Sequence, residues 1–165
     1  MNSNLRALVC VGLVSVAVSG AAVAGEKNTV LSSGKSLTPA AHAAAAVVHN
    51  FHAALKRGDT ESAASMLASN VLIFESGGVE RSKAKYVAHH LESDAAFAKM
   101  TTHRVIRQSG AAAGDTAWIA TEGRTTGTYK EQVVNSASSE TMVLRRTKRV
   151  WRIVHIHWSS GKSKS

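Results

Sequence analysis

Cysteine is nearly absent from this 165-residue sequence: Cys10 is the only one. One thiol cannot close an internal disulfide, so the chain must hold itself together through an ordinary apolar core. Nucleotide-binding and hydrolase signatures are missing as well. There is no phosphate-cradling glycine loop of the Walker or dinucleotide type, no G-x-S-x-G elbow and no H-E-x-x-H pair. Acidic side chains are scarce, 11 against 20 Lys and Arg, which leaves a formal net charge of +9. No internal repeat occurs, and no low-complexity segment beyond an Ala-rich first helix.

What is present, first, is an export leader. Met1 to Arg6 carries one positive charge, Ala7 to Ala24 carries none, and Ala22-Val23-Ala24 is a small-x-small cleavage site followed by polar Gly25-Glu26-Lys27. This order predicts a signal peptide over residues 1–24 and a secreted or periplasmic protein. A membrane anchor is the alternative, but the run is rich in Ala, Gly and Ser, and no basic stop-transfer cluster follows it. No stable membrane anchor is expected after cleavage. Cys10 follows Val9 early in the apolar run, which argues against lipidation. Its removal excludes thiol nucleophiles and thiolate metal sites from the mature chain. Roughly 140 residues remain, enough for one domain.

The charge is concentrated. Arg145, Arg146, Lys148, Arg149 and Arg152 crowd into one stretch. Such a patch can meet nucleic acid or anionic lipid. Export, and the lack of aromatic residues among these charges before Trp151, argue against nucleic acid. The stretch reads as a solvated basic hairpin that at most meets the anionic envelope.

Residues 25–37 are polar and aperiodic and read as a flexible linker, with one domain over 38–160 and a basic tail at 161–165. Thr38-Pro39 supplies an N-cap and a first helical position. Ala44, Val47, Val48, Phe51, Ala54 and Leu55 form one apolar helical stripe. Gly58 stops that helix and Asp59 caps a short second one, with Ala63, Met66 and Leu67 inward, ending near Asn70. Val71 to Phe74 reads as a strand ending at Glu75 and a Ser76-Gly77-Gly78 turn. Ser82 caps a third helix to about Glu92, and Asp94–Met100 is a further helical turn. Strands follow over Thr102–Gln108, Thr116–Tyr129, Val134–Thr147 and Val150–Ser159. Gly123 and Gly127 suggest a bend or bulge in the second of these. Helices first and a long antiparallel meander after them predict an α+β fold, helices packed on one face of a curved sheet.

Alternation places Trp151, Ile153, His155 and His157 on one face of the last strand, and Arg152, Val154, Ile156 and Trp158 on the other. His155 and His157 then project side by side, about 7 Å apart. Such a pair could chelate a divalent metal or hydrogen-bond within a pocket; two partly buried structural histidines are the competing reading. Glu75 ends a buried strand and could face a pocket mouth or solvent. His89 and His90 are adjacent on the third helix, about 100° apart, so at most one points squarely inward. Trp118, Ala120, Glu122 and Arg124 share a strand face, where Glu122 and Arg124 could pair. His42, His49 and His52 read as surface or flank positions of the first helix.

The run Val48-His49-Asn50-Phe51-His52-Ala53-Ala54-Leu55-Lys56-Arg57-Gly58-Asp59 resembles the first helix of SnoaL-like proteins in the nuclear transport factor 2-like superfamily. The resemblance resumes at Glu140 to Arg146 and closes with Trp151-Arg152-Ile153-Val154-His155-Ile156-His157-Trp158-Ser159, similar to that family's last strand. It implies a cystatin-like, cone-shaped antiparallel sheet wrapped around N-terminal helices, with a pocket open at one end. It also implies a homodimer through the outer sheet face. The family spans ketosteroid isomerase, polyketide cyclases, dehydratases and non-catalytic binding modules, so the fold does not choose among them. The isomerase pattern pairs a carboxylate base with acidic donors. Here the strands offer Glu75, Glu122 and Glu140, and Tyr86 and Tyr129 are the only tyrosines; no catalytic residue carries over by position.

The resulting expectation is an exported domain holding a small-molecule ligand in its cone, lined by Glu75, Tyr86, His89, His90, Trp118, Glu122, His155 and His157. Two alternatives accompany it. One is proton-transfer catalysis of isomerase, cyclase or dehydratase type, with His155, His157 or Glu75 as the reacting group. The other is an envelope zinc or copper site built on His155, His157 and His90. No cofactor is specified by the sequence.

Overall fold

The computed structural model describes residues 37–162. The expected signal peptide, most of the expected linker and the last three residues lie outside them. A 3-10 turn, Pro39–Ala41, leads into α1 (His42–Arg57), α2 (Thr60–Ser65), β1 (Leu67–Glu75), β2 (Gly78–Glu80), α3 (Lys83–His89) and α4 (Leu91–Met100). Four long strands follow: β3 (Thr101–Ala113), β4 (Thr116–Tyr129), β5 (Gln132–Thr147) and β6 (Val150–Lys162).

Local chemistry sets most of these boundaries. The predicted apolar stripe makes α1 the central helix: Ala44, Val48, Phe51, Ala54 and Leu55 are buried, and Val47 is half-buried. Gly58 ends the helix at φ 74°, where an L side chain would be strained. Asp59 accepts the Ser62 backbone N–H at 3.0 Å, and Ser82 accepts that of Lys85 at 3.2 Å, capping α2 and α3 as their types predict. Thr38 sits at the expected start in extended conformation without a side-chain cap bond.

Several boundaries differ from expectation. The second helix stops at Ser65, and Leu67 is buried as a strand residue, because β1 begins there. Gly78–Glu80 pairs with β1 as a short strand. β3 and β6 extend to Ala113 and Lys162, since long neighbours give their ends pairing partners.

The sheet is open, curved and six-stranded, in the order β2-β1-β6-β5-β4-β3. All neighbours are antiparallel except β1 and β6, which run parallel. Cross-strand rows organise its inner face. Ala112, Ala117, Leu144, Ile153 and Leu67 form one row, and Gly110, Ile119, Met142, Ile156 and Ile73 the next. Both pack beneath α1 as the core. Phe51, fully buried against them, contributes about 2–3 kcal/mol by burial alone.

One irregularity decides the facing of β6. Leu144 pairs with Ile153, but Val143 pairs with His155, so Val154 is an extra residue, a β-bulge. Side-chain parity inverts across it. Trp151 and Ile153 face the core, and so do Ile156 and Trp158 beyond the bulge; His155 and His157 face outward. A second bulge lies in β3 between Val105 and Arg107. It lies opposite Gly123 and Glu122, so the irregularity expected at Gly123 falls on the partner strand; a Cβ on Gly123 would also run into the His103 ring packed over it.

Candidate functional site

Beyond the two apolar rows the inner face turns polar. The next row reads Gln108, Thr121, Glu140, Trp158 and Glu75, one residue from each of five strands. Gln108 Nε2 donates to Thr121 Oγ1 at 3.1 Å, and Trp158 Nε1 donates to Glu140 Oε2 at 2.6 Å. Trp158 stands at the middle of two carboxylate clusters, its indole stacked on Phe51 and 6.4 Å from the Tyr86 ring.

On one side, Glu140 is only 8 % exposed. His52 Nε2 lies 2.8 Å from the same Oε2 that Trp158 holds, while Oε1 is buried without a partner among the described residues. Burial by itself would raise this carboxyl. The hydrogen bond and charge of His52, with the Trp158 N–H and His103, outweigh it and hold the group below its usual value. His103 stacks on His52 with ring centroids 6.3 Å apart, and its Nδ1 meets Thr125 Oγ1 at 3.1 Å. Burial, and then the neighbouring His52, push the His103 imidazole below its ordinary value, which favours the neutral ring.

On the other side lies a small cavity of about 70 Å³, lined by Ile73, Glu75, Gly78, Val79, Glu80, Tyr86 and His90. Tyr86 is 1 % exposed and donates its hydroxyl to Asp94 Oδ2 at 2.7 Å. Burial, followed by the adjoining Asp94, drives the phenol far up, so Tyr86 stays protonated. Burial also raises Asp94, against the opposing effects of the Tyr86 hydroxyl and His90. Glu75 is raised by burial and by Asp94, with His90 opposing. His90 Nδ1 is 2.9 Å and His89 Nδ1 3.2 Å from Glu80 Oε1. The cavity thus brings together a carboxyl raised above its ordinary value and an imidazole, the components of acid–base chemistry.

Of the residues singled out in the sequence, Glu75, Tyr86 and His90 share this cavity. His89 does not line it, although its Nδ1, like that of His90, lies against Glu80 Oε1. His155 and His157 do not look into the hollow as alternation suggested: the Val154 bulge turns them to the outer face. There the His155 Nδ1 lies 2.8 Å from the Leu72 carbonyl, to which it must donate, and both rings pack edgewise on Phe74. Trp118, 40 % exposed, and Glu122 also lie outward, since Ala117, Ile119 and Thr121 take the inner positions of β4. Arg124 bonds Asn135 Oδ1 at 3.0 and 3.1 Å instead of pairing with Glu122. Among the described residues, no three of His, Cys, Asp or Glu are arranged to hold a metal ion. His52, read as a flank position, is instead the partner of Glu140. Glu140 shares strand parity with Met142 and Leu144, a signal that could have placed it inside. Asp94, at i+8 from Tyr86 and in a different helix, left no periodic signal.

A family model described as the SnoaL-like domain matches residues 44–162. Among solved structures, a proposed ketosteroid isomerase from Shewanella frigidimarina is 36 % identical, over 75 % of this chain and 100 % of its own, with a TM-score of 0.71. A cystatin-like fold protein from Caulobacter vibrioides (14 % identity, 76 % and 92 % coverage, TM-score 0.66) shares the fold. So does a proposed dehydratase of the nuclear transport factor 2-like family from Streptomyces avermitilis (17 % identity, 73 % and 95 % coverage, TM-score 0.63). No curated protein matches significantly. With the family model covering most of the chain, the protein belongs to the SnoaL-like domain family.

Proposed function

We propose that the protein is exported and binds a small organic ligand at the polar end of its inner sheet face, with Glu75, Tyr86 and His90 forming the contact cavity. The observation that carries this reading is the cavity itself, lined by both the Glu75 carboxyl, raised above its ordinary value, and the His90 imidazole. At about 70 Å³ it admits a functional group and no entire drug-sized molecule; the rest of the ligand would lie toward β2 and α3. Export rests on the leader sequence and is tested by N-terminal sequencing of protein recovered from the envelope, where a start at Met1 would refute it. For binding, native mass spectrometry of the purified protein should reveal a co-purifying small molecule that Glu75→Ala loses. A bare mass in the parent protein would count against the proposal.

Proton transfer is the second reading, favoured by the raised Glu75 carboxyl and by the identity to the Shewanella protein. Glu75, as the carboxylate, would take a proton from carbon next to a carbonyl and return it, with the second ring nitrogen of His90 as donor to the carbonyl oxygen, because the Tyr86 hydroxyl is committed to Asp94 and His90 Nδ1 to Glu80. Deuterium exchange into an enolisable ketone, abolished by Glu75→Gln, would support it; exchange that survives the substitution would exclude Glu75.

A homodimer through the outer sheet face accompanies both readings. Leu72, Phe74, Trp118, Val143, His155 and His157 form a patch without Asp, Glu, Lys or Arg, bordered by the charged pairs Arg145–Arg152 and Arg107–Glu122. An uncharged centre with a charged rim is the anatomy of a protein interface. Val143→Lys should convert dimer to monomer in sedimentation; a monomeric parent protein would dismiss it.

A further inference from the structure

The basic run is unused by the ligand cavity, six residues farther along β5 than Glu140 and roughly 20 Å away. Here the structure forms a cleft of about 540 Å³, lined by Ala43, Asp115, Arg146, Lys148, Arg149 and Trp151. Its size falls within the range of small-molecule sites. Trp151, 7 % exposed, is the floor. Arg146 lies over that indole, with Cζ 5.2 Å from the ring centroid. It is fixed there by Nε donating to Asp115 Oδ1 at 2.9 Å and Nη2 to Gly114 O at 3.3 Å. Two of the five guanidinium N–H groups are used in this way, and three remain. Among the described residues Asp115 is the one acid of the lining, and it is engaged with Arg146. Among the described residues Lys148 and Arg149 have no acidic partner.

Lys148 and Arg149 are also the two central residues of the β5–β6 turn, at φ 49° and 68°. A two-residue turn with positive φ at both positions favours Asn-Gly, and long side chains are strained there. The β4–β5 turn has the same backbone at Lys130 and Glu131, φ 48° and 65°, but carries opposite charges. The shared conformation therefore does not demand two cations; the cleft turn has them in addition.

We infer that this cleft binds a small soluble molecule bearing a phosphate group, with Lys148 and Arg149 on the phosphate oxygens and the Arg146 fork completing the contact. Three cationic groups converging on one hollow suit a multiply charged oxyanion better than a single carboxylate. The recess, walled by Ala43 of α1, favours a soluble ligand over a lipid surface, and among the described residues Val150 is the one large apolar residue exposed near the tip.

The test is calorimetric titration of the full-length chain with inorganic pyrophosphate, alongside two turn variants. Lys148→Asn/Arg149→Gly should weaken binding tenfold or more while raising Tm by several degrees, because it relieves the turn. Lys130→Asn/Glu131→Gly should raise Tm similarly and leave pyrophosphate affinity unchanged. Absence of binding by the parent protein at millimolar pyrophosphate would overturn the inference, as would equal loss in both variants. Cosedimentation with phosphatidylcholine vesicles containing phosphatidylglycerol, unaffected by pyrophosphate, would assign the cations to a membrane surface and overturn it too.

Discussion

Glu140 and Glu75 occupy the same cross-strand row, separated by Trp158, yet their carboxyls are displaced in opposite directions. Burial raises both. Glu140 has two N–H donors on one oxygen and a second imidazole nearby, and these reverse the effect. Glu75 has no such donors and faces another carboxyl, Asp94, so burial prevails. What separates a carboxyl held below its ordinary value from one raised above it is here the supply of donors more than depth. The first arrangement stabilises the fold, and the second is suited to chemistry.

This contrast can be challenged by substitution. The largest effect should come from Trp158→Ala, which removes the wall common to both clusters and a Glu140 donor. A loss of about 3 kcal/mol in urea unfolding is expected. His52→Ala should cost about 1–2 kcal/mol, less than a fully buried pair because the imidazole is partly exposed. A double-mutant cycle with Glu140→Gln should recover most of that as coupling. Glu75→Gln should change stability by less than about 0.5 kcal/mol at neutral pH, toward greater stability, because it deletes a group that the fold resists ionising. A destabilisation as large as that of His52→Ala would erase the distinction between the two carboxylates.

Acidity should divide them as well. Glu140 is lower folded than its ordinary 4.5, so its contribution is present above that value and lost as pH falls through the folded one. His103, below its ordinary 6.5, acts in the same direction: its contribution is complete above 6.5 and fades as pH drops through the folded value. Glu75 and Asp94 do the reverse, contributing below their unfolded values and losing that contribution as pH rises through the folded ones. Unfolding midpoints measured from acid to neutral pH should therefore show a shallower decline on the neutral side in Glu75→Gln than in the parent.

Much of this architecture was legible in the sequence because it is local. The α1 stripe, Gly58, the Asp59 and Ser82 caps and the full span Thr116–Tyr129 each follow from residues within a few positions of one another. Glu75, singled out at its strand end, and Tyr86, one of only two tyrosines, both line the small cavity. What escaped was either long-range or a matter of phase. His52 and Glu140 are 88 positions apart and meet only because α1 lies across β5 and β6. His155 and His157 were assigned to the wrong face because alternation assumes an unbroken ladder, and one unpaired residue defeats it.

Val154 has a consequence of its own. Without it, the stretch from Trp151 to Trp158 would read as a strictly alternating strand with the same β5 partners, so deleting this valine need not alter a single β5–β6 match. What the deletion would remove is local coiling. Trp158 would keep its place opposite Glu140, on a strand less strongly twisted at that point. A strand one residue shorter could therefore share this pairing diagram and still enclose a differently shaped hollow.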